Sequence, residues 1–94
     1  MITKYSENCI FCGKPKEDTH HMVFGNGCRR LADRWNLTCP ICRSCHERIH
    51  GNVMAEKLSK IAGQLLFEKE DILRGESEEG AREHFRAIFG RSYL

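Results

Sequence analysis

Four cysteines in two close pairs, Cys9-x-x-Cys12 and Cys42-x-x-Cys45, constrain this chain more than any other feature. Two such pairs, well separated in sequence, supply the four thiolates of one closed tetrahedral zinc site. A chain of 94 residues buries too little of its surface to rest on a hydrophobic core alone, and a metal staple answers that need. The six cysteines also fit a disulfide or redox protein, whose thiols would be oxidised and hold no metal. That reading asks for an exported chain, and the stretch Met1 to Glu7 offers no apolar run to serve as a signal. The longest apolar stretch, around Ile61 to Phe67, is interrupted by Gln64 and too short to span a bilayer. The expectation is a soluble cytoplasmic protein with no membrane partner.

The second pair has a rival, because Cys39-Pro40-Ile41-Cys42 is also a CxxC. The later pair is preferred, since Arg43 and Ser44 suit a tight turn at a helix start. His46 is an alternative fourth ligand. Cys28 and Cys39 then read as small buried residues.

Along the chain, Cys9 to Gly13 reads as a zinc knuckle. Thr19 to Phe24 suits a short strand, broken by Gly25-Asn26-Gly27. Cys28 to Arg34 is a short helical turn or a basic loop. Trp35 to Cys39 reads as a second strand ending at Pro40, and a helix follows from about Cys42 to His50, with Gly51 as its stop. From Val53 to Glu70 the residues Met54, Leu58, Ile61, Ala62, Leu65 and Leu66 recur at helical spacing. Ser77 can cap a last helix with Phe85, Ile88 and Phe89 on one face, closed by Gly90. The expectation is one α+β domain over residues 1–94, with a metal-bound core at 9–50 and a helical extension at 53–94.

Histidines are concentrated beside the cysteines. On a helix from Cys42, His46 and His50 stand at i and i+4, on one face, where they can share a cation. Glu47 points elsewhere, so this is not the zincin arrangement. His20 and His21 are adjacent on a strand and should face opposite ways, one to bind metal and one to move a proton. Each has a plainer reading, such as a cation at a helix end or a ring in a turn. Four within one short window beside a zinc knuckle argue for a site. His84, on an amphipathic helix outside that window, should be solvated.

The net charge of +2 does not by itself argue for nucleic acid. Its distribution is more telling: residues 1–50 hold eight Lys/Arg against five Asp/Glu, and residues 51–94 seven against eight. The chemistry is therefore expected in the first half, with the second half as support.

Taken in order, Cys9-x-x-Cys12-Gly13, His20-His21, Asn36-Leu37 and Cys42-x-x-Cys45-His46-x3-His50 resemble the HNH endonuclease family, in particular small phage- and prophage-encoded members. The resemblance covers residues 9–50, with a weaker likeness over Phe85 to Leu94. It implies a ββα-metal (His-Me finger) fold and a metal-dependent phosphodiester hydrolase acting on DNA, with RNA as the other candidate. His21 matches the general base, His20 and His46 match metal ligands, His50 a further ligand in some members, and Asn36 the residue that braces the loop and orients the base. Many members have Asp at the position of His20. A histidine there is softer and favours Zn2+, Ni2+ or Mn2+ over Mg2+ as the catalytic cation, beside the structural Zn2+ at the cysteines.

In that mechanism His21 takes a proton from water while a cation on His20, His46 and His50 meets the scissile phosphate. Arg29, Arg30 and Arg34, between the strands, and Arg43 and Arg48, on the metal helix, are candidate phosphate contacts. Phe85, Phe89 and Tyr93 could pack on a second copy or on a larger phage protein. The alternative function is a non-catalytic zinc module that binds nucleic acid or a protein.

Overall fold

The computed structural model describes residues 1–94 and arranges them as β1 (Asp18–His21), α1 (Cys28–Arg34), β2 (Thr38–Ile41), α2 (Arg43–His50), α3 (Val53–Leu73) and α4 (Glu78–Phe89). This is a small α+β fold of one two-stranded sheet and four helices. The strands pair antiparallel, with His20 opposite Cys39 and His21 opposite Thr38. No helix is long and apolar enough to cross a membrane.

Both strands depart from the expected limits. The first stops at His21 rather than Phe24, because the chain bends at Met22 and Val23 and sinks both into the interior. The second starts at Thr38 rather than Trp35 and runs through Pro40 to Ile41. Proline is tolerated there because its carbonyl faces away from β1 and accepts the Ile10 N–H at 2.9 Å. The N–H that proline lacks would have pointed to that same outer edge. Ile2 donates to the Thr38 carbonyl along this edge at 2.8 Å, so the N-terminal segment covers it. Trp35 and Asn36 instead turn the chain out of α1, and Asn36 takes the left-handed conformation, φ 58°, that asparagine tolerates well.

The helices have identifiable starts. Cys42 caps α2 with its own sulfur, which accepts the Cys45 N–H. Asn52 caps α3 through the Ala55 N–H at 2.9 Å, and Ser77 caps α4 through Gly80 at 3.0 Å. Gly90 closes α4 in the left-handed conformation, φ 84°.

Two apolar clusters result. The larger joins Val23, Cys28, Ala32, Leu37, Phe67, Phe85 and Phe89. The smaller joins Cys9, Ile41, Cys42 and Ile49 beneath the knuckle. Phe85 and Phe89 stack at 4.4 Å between ring centroids inside the larger cluster, with Tyr93 against Phe85 at 6.1 Å. Phe85 and Phe89 are buried by this packing and Tyr93 partly so, which leaves the two phenylalanines no surface to offer a second copy.

Gln64 is fully buried and explains itself by its partners. Its amide donates to Glu68 and Ser92, and its carbonyl accepts the Tyr93 N–H at 2.7 Å, pinning the C-terminal tail to α3. His84 is not the freely solvated residue expected. Its Nδ1 meets the Asp71 carboxylate at 2.6 Å, and its ring packs edge-on against Trp35. Gly63 has a steric reason to be glycine: a Cβ there would stand 2.8 Å from Val23 Cγ2 and 3.2 Å from Met22 Cβ. Its absence lets α3 lie directly on the bend after β1.

Candidate metal centres and active-site cleft

Cys9, Cys12, Cys42 and Cys45 bring their four sulfurs within 4.8 Å of one another. The knuckle that carries the first two is built by backbone bonds, Gly13 to Cys9 at 3.0 Å and Cys9 to Lys14 at 2.7 Å. The donor set fits a tetrahedral structural metal. Burial raises the Cys9 thiol, but hydrogen bonds from Cys42, Cys12 and Phe11 outweigh it and hold the group at about 6. The Cys45 thiol is instead pushed up to about 12, first by its hydrogen bond to Cys42 and then by burial. Without a cation the cluster must keep protons to hold its sulfurs together, and a divalent ion replaces them. Cys39 lies outside the tetrad, and burial lifts its thiol to about 11. Cys28 lies in the larger apolar cluster.

The second cluster is His20, His46 and His50, again with all three ligating atoms within 4.8 Å. His20 comes from the sheet and the other two from one face of α2. Their ring centroids are 5.2 Å, 5.5 Å and 4.9 Å apart. Each ring is gripped from behind. His46 Nδ1 meets Asp18 at 3.2 Å, and His50 Nδ1 meets Glu56 at 3.0 Å. A carboxylate can only accept, so both Nδ1 atoms carry a proton, and in the neutral rings both Nε2 atoms present lone pairs. Those two Nε2 atoms face each other at 3.2 Å. Two acceptors so placed repel unless something positive joins them, and nitrogens on one tetrahedral zinc, each about 2.0–2.1 Å from it, stand roughly this far apart.

His20 completes the set. It is 2 % exposed, its Nε2 meets Ser59 Oγ at 2.7 Å, and its buried Nδ1 has no hydrogen-bond partner. Burial, followed by the nearby His46, His50, His21 and Arg29, lowers its pKa to about 4. The ring is therefore neutral at pH 7, as a metal ligand must be.

These rings border a cleft lined by Thr19, His20, His21, Phe24, Arg29, His46 and His50. His21 reaches its rim although it neighbours His20 on β1, because it is the last residue of the strand and half-exposed. Its Nε2 bonds Asp33 Oδ1 at 2.9 Å. Asn36 makes no hydrogen bond to His21. It borders a different cleft, with Trp35, Arg34 and Arg74, and the side chain bonded to His21 is that of Asp33.

The five arginines also divide. Arg29 lines the histidine cleft, Arg34 the separate one, and Arg43 leans on Glu17 and Asp18 at 3.8 Å each. Arg30 and Arg48 are exposed and line neither cleft. Sequence reasoning missed Asp18, Asp33, Glu56 and Ser59. The acids carried no spacing signal, and Ser59 resembles any polar residue on a helix.

The family described as "Protein of unknown function (DUF968)" matches residues 3–68, and the chain belongs to it. The matched stretch takes in both clusters and most of α3. No curated protein and no solved structure matches the chain.

Proposed function

We propose that this protein is a metal-dependent endonuclease of the HNH type, hydrolysing phosphodiester bonds of DNA. The observation that carries the reading is the convergence of His20, His46 and His50, one ring nitrogen of each within 4.8 Å of the others, beside a fourth histidine, His21, that pairs with Asp33 instead. A structural site alone does not call for that fourth ring. A divalent cation held by the three imidazoles supplies Lewis-acid stabilisation of charge on the phosphate and on the leaving oxygen. The protein side chains do the rest.

The His21 Nε2–H donates to Asp33, which leaves Nδ1 to accept the proton of the attacking water. Arg29, on the cleft wall, pairs its planar guanidinium with a neighbouring phosphate. The resemblance of the His20-His21 and Cys42 to His50 stretches to HNH nucleases supports the same reading.

The test is conversion of supercoiled plasmid by purified protein across Mg2+, Mn2+, Ni2+ and Zn2+, with His21→Ala alongside. Loss of a general base should slow cleavage about 10²- to 10⁴-fold, with the zinc content and melting of the variant unchanged. Equal cleavage by His21→Ala, or none by the wild type with any of the four ions, overturns the proposal.

A further inference from the structure

We propose that Ser59, on α3 and outside the cysteine and histidine motif, is a positioning residue of the histidine cluster that fixes the tautomer of His20 and so presents Nδ1 to the cation. The inference rests on reading His20, His46 and His50 as a cation site. Ser59 Oγ lies 2.9 Å from the Met22 carbonyl and 2.7 Å from His20 Nε2. A hydroxyl has one proton, and a carbonyl can only accept. The proton therefore goes to Met22, Ser59 accepts from His20, and His20 Nε2 is the protonated nitrogen. Nδ1 then holds a lone pair, and it is the atom left without a partner in the interior. The opposite tautomer would bury an N–H with nothing to receive it and set two acceptors against each other at Met22.

The placement of Ser59 is a property of the fold. Gly63, one helical turn further along α3, lies so near Met22 and Val23 that a Cβ there would not fit. That approach delivers the Ser59 hydroxyl to the bend after β1, while Glu56, one turn earlier, reaches His50. Histidine ligands are commonly held by such a partner on their second nitrogen, and its removal typically weakens metal binding about 10- to 100-fold. The helix expected to be a buttress thus orients two of the three candidate ligands.

The experiment uses the full chain with zinc in the cysteine tetrad and titrates Co2+ into the wild type, Ser59→Ala and Ser59→Thr, following heat and the visible Co2+ absorption. An apolar hollow of about 370 Å³ beside Ser59, lined in part by Met22, Leu58 and Ala62, has room for the threonine methyl. Ser59→Ala should bind Co2+ about 10- to 100-fold more weakly with an altered spectrum, and Ser59→Thr should restore both. Wild-type protein that takes up no exchangeable Co2+ overturns the cation site and this inference with it. Wild-type binding matched by Ser59→Ala in affinity and spectrum overturns this inference alone. If Ser59→Ala does not fold, the long-range 15N–1H spectrum of wild-type protein, free of exchangeable cation, decides. Protonated Nε2 on His20 supports the assignment, and protonated Nδ1 overturns it.

Discussion

His21 and Asp33 meet at 2.9 Å, Nε2 to Oδ1, across the end of β1 and the second half of α1. The carboxylate is largely exposed and the imidazole only partly so. Asp33 thereby selects which nitrogen of His21 turns away from α1, without itself lining the histidine cleft.

Removing that carboxylate should slow cleavage without weakening the grip on DNA. Asp33→Ala is expected to lower kcat roughly 10-fold and leave KM unchanged, the effect being modest because the pair is solvent-screened. Steady-state nicking of a labelled plasmid separates the two constants. A variant with raised KM and native kcat would make Asp33 a binding residue instead.

The tetrad and the neighbouring thiol should behave differently. Cys42→Ser removes a sulfur of the cage while leaving a hydroxyl that can still cap α2, so loss of zinc and of the cooperative melt should report the missing ligand alone. Cys39→Ser should keep one zinc per chain and lose about 1–3 kcal/mol, the cost of burying a hydroxyl without a sure partner. Elemental analysis and thermal unfolding read both variants. Zinc retained by Cys42→Ser but lost from Cys39→Ser would move the fourth ligand to Cys39.

Acid should loosen the protein through His20. Its pKa falls from the ordinary 6.5 to about 4 on folding, chiefly through burial, so between those values the unfolded chain binds the extra proton. The stabilisation is complete above about pH 6.5 and fades as pH drops toward 4, reaching about 3 kcal/mol at most. Urea midpoints of protein free of exchangeable cation, taken from pH 7 to pH 4.5, should fall, and fall less in His20→Gln. Parallel curves for the two proteins would assign the acid sensitivity to other groups.

How much of this could be read beforehand follows from where each signal resides. Two CxxC pairs and an i, i+4 histidine pair are short-range patterns, and the side chains they predict to be neighbours are neighbours. His20 joined them because the strand carrying it pairs with the one leading into Cys42. Strand limits were less legible: the bend at Met22 answers to α3 packing on it, and Pro40 is acceptable because the N–H it lacks would have pointed away from β1. His84 looked solvated because the pattern along α4 cannot register an acid on α3. Asp18, Asp33, Glu56 and Ser59 were invisible for the same reason. Each matters through one tertiary contact, and no periodicity announces it.

The long helix α3 touches the small cluster through Ala55, the histidines through Glu56 and Ser59, and the large cluster through Phe67. A fragment cut at Gly51 would therefore retain every cysteine of the cage and every ring of the triad yet lack the beam that braces them. Anyone grafting this centre onto another scaffold should carry the sequence at least to Phe67, because the smallest transplantable unit is longer than its chemistry.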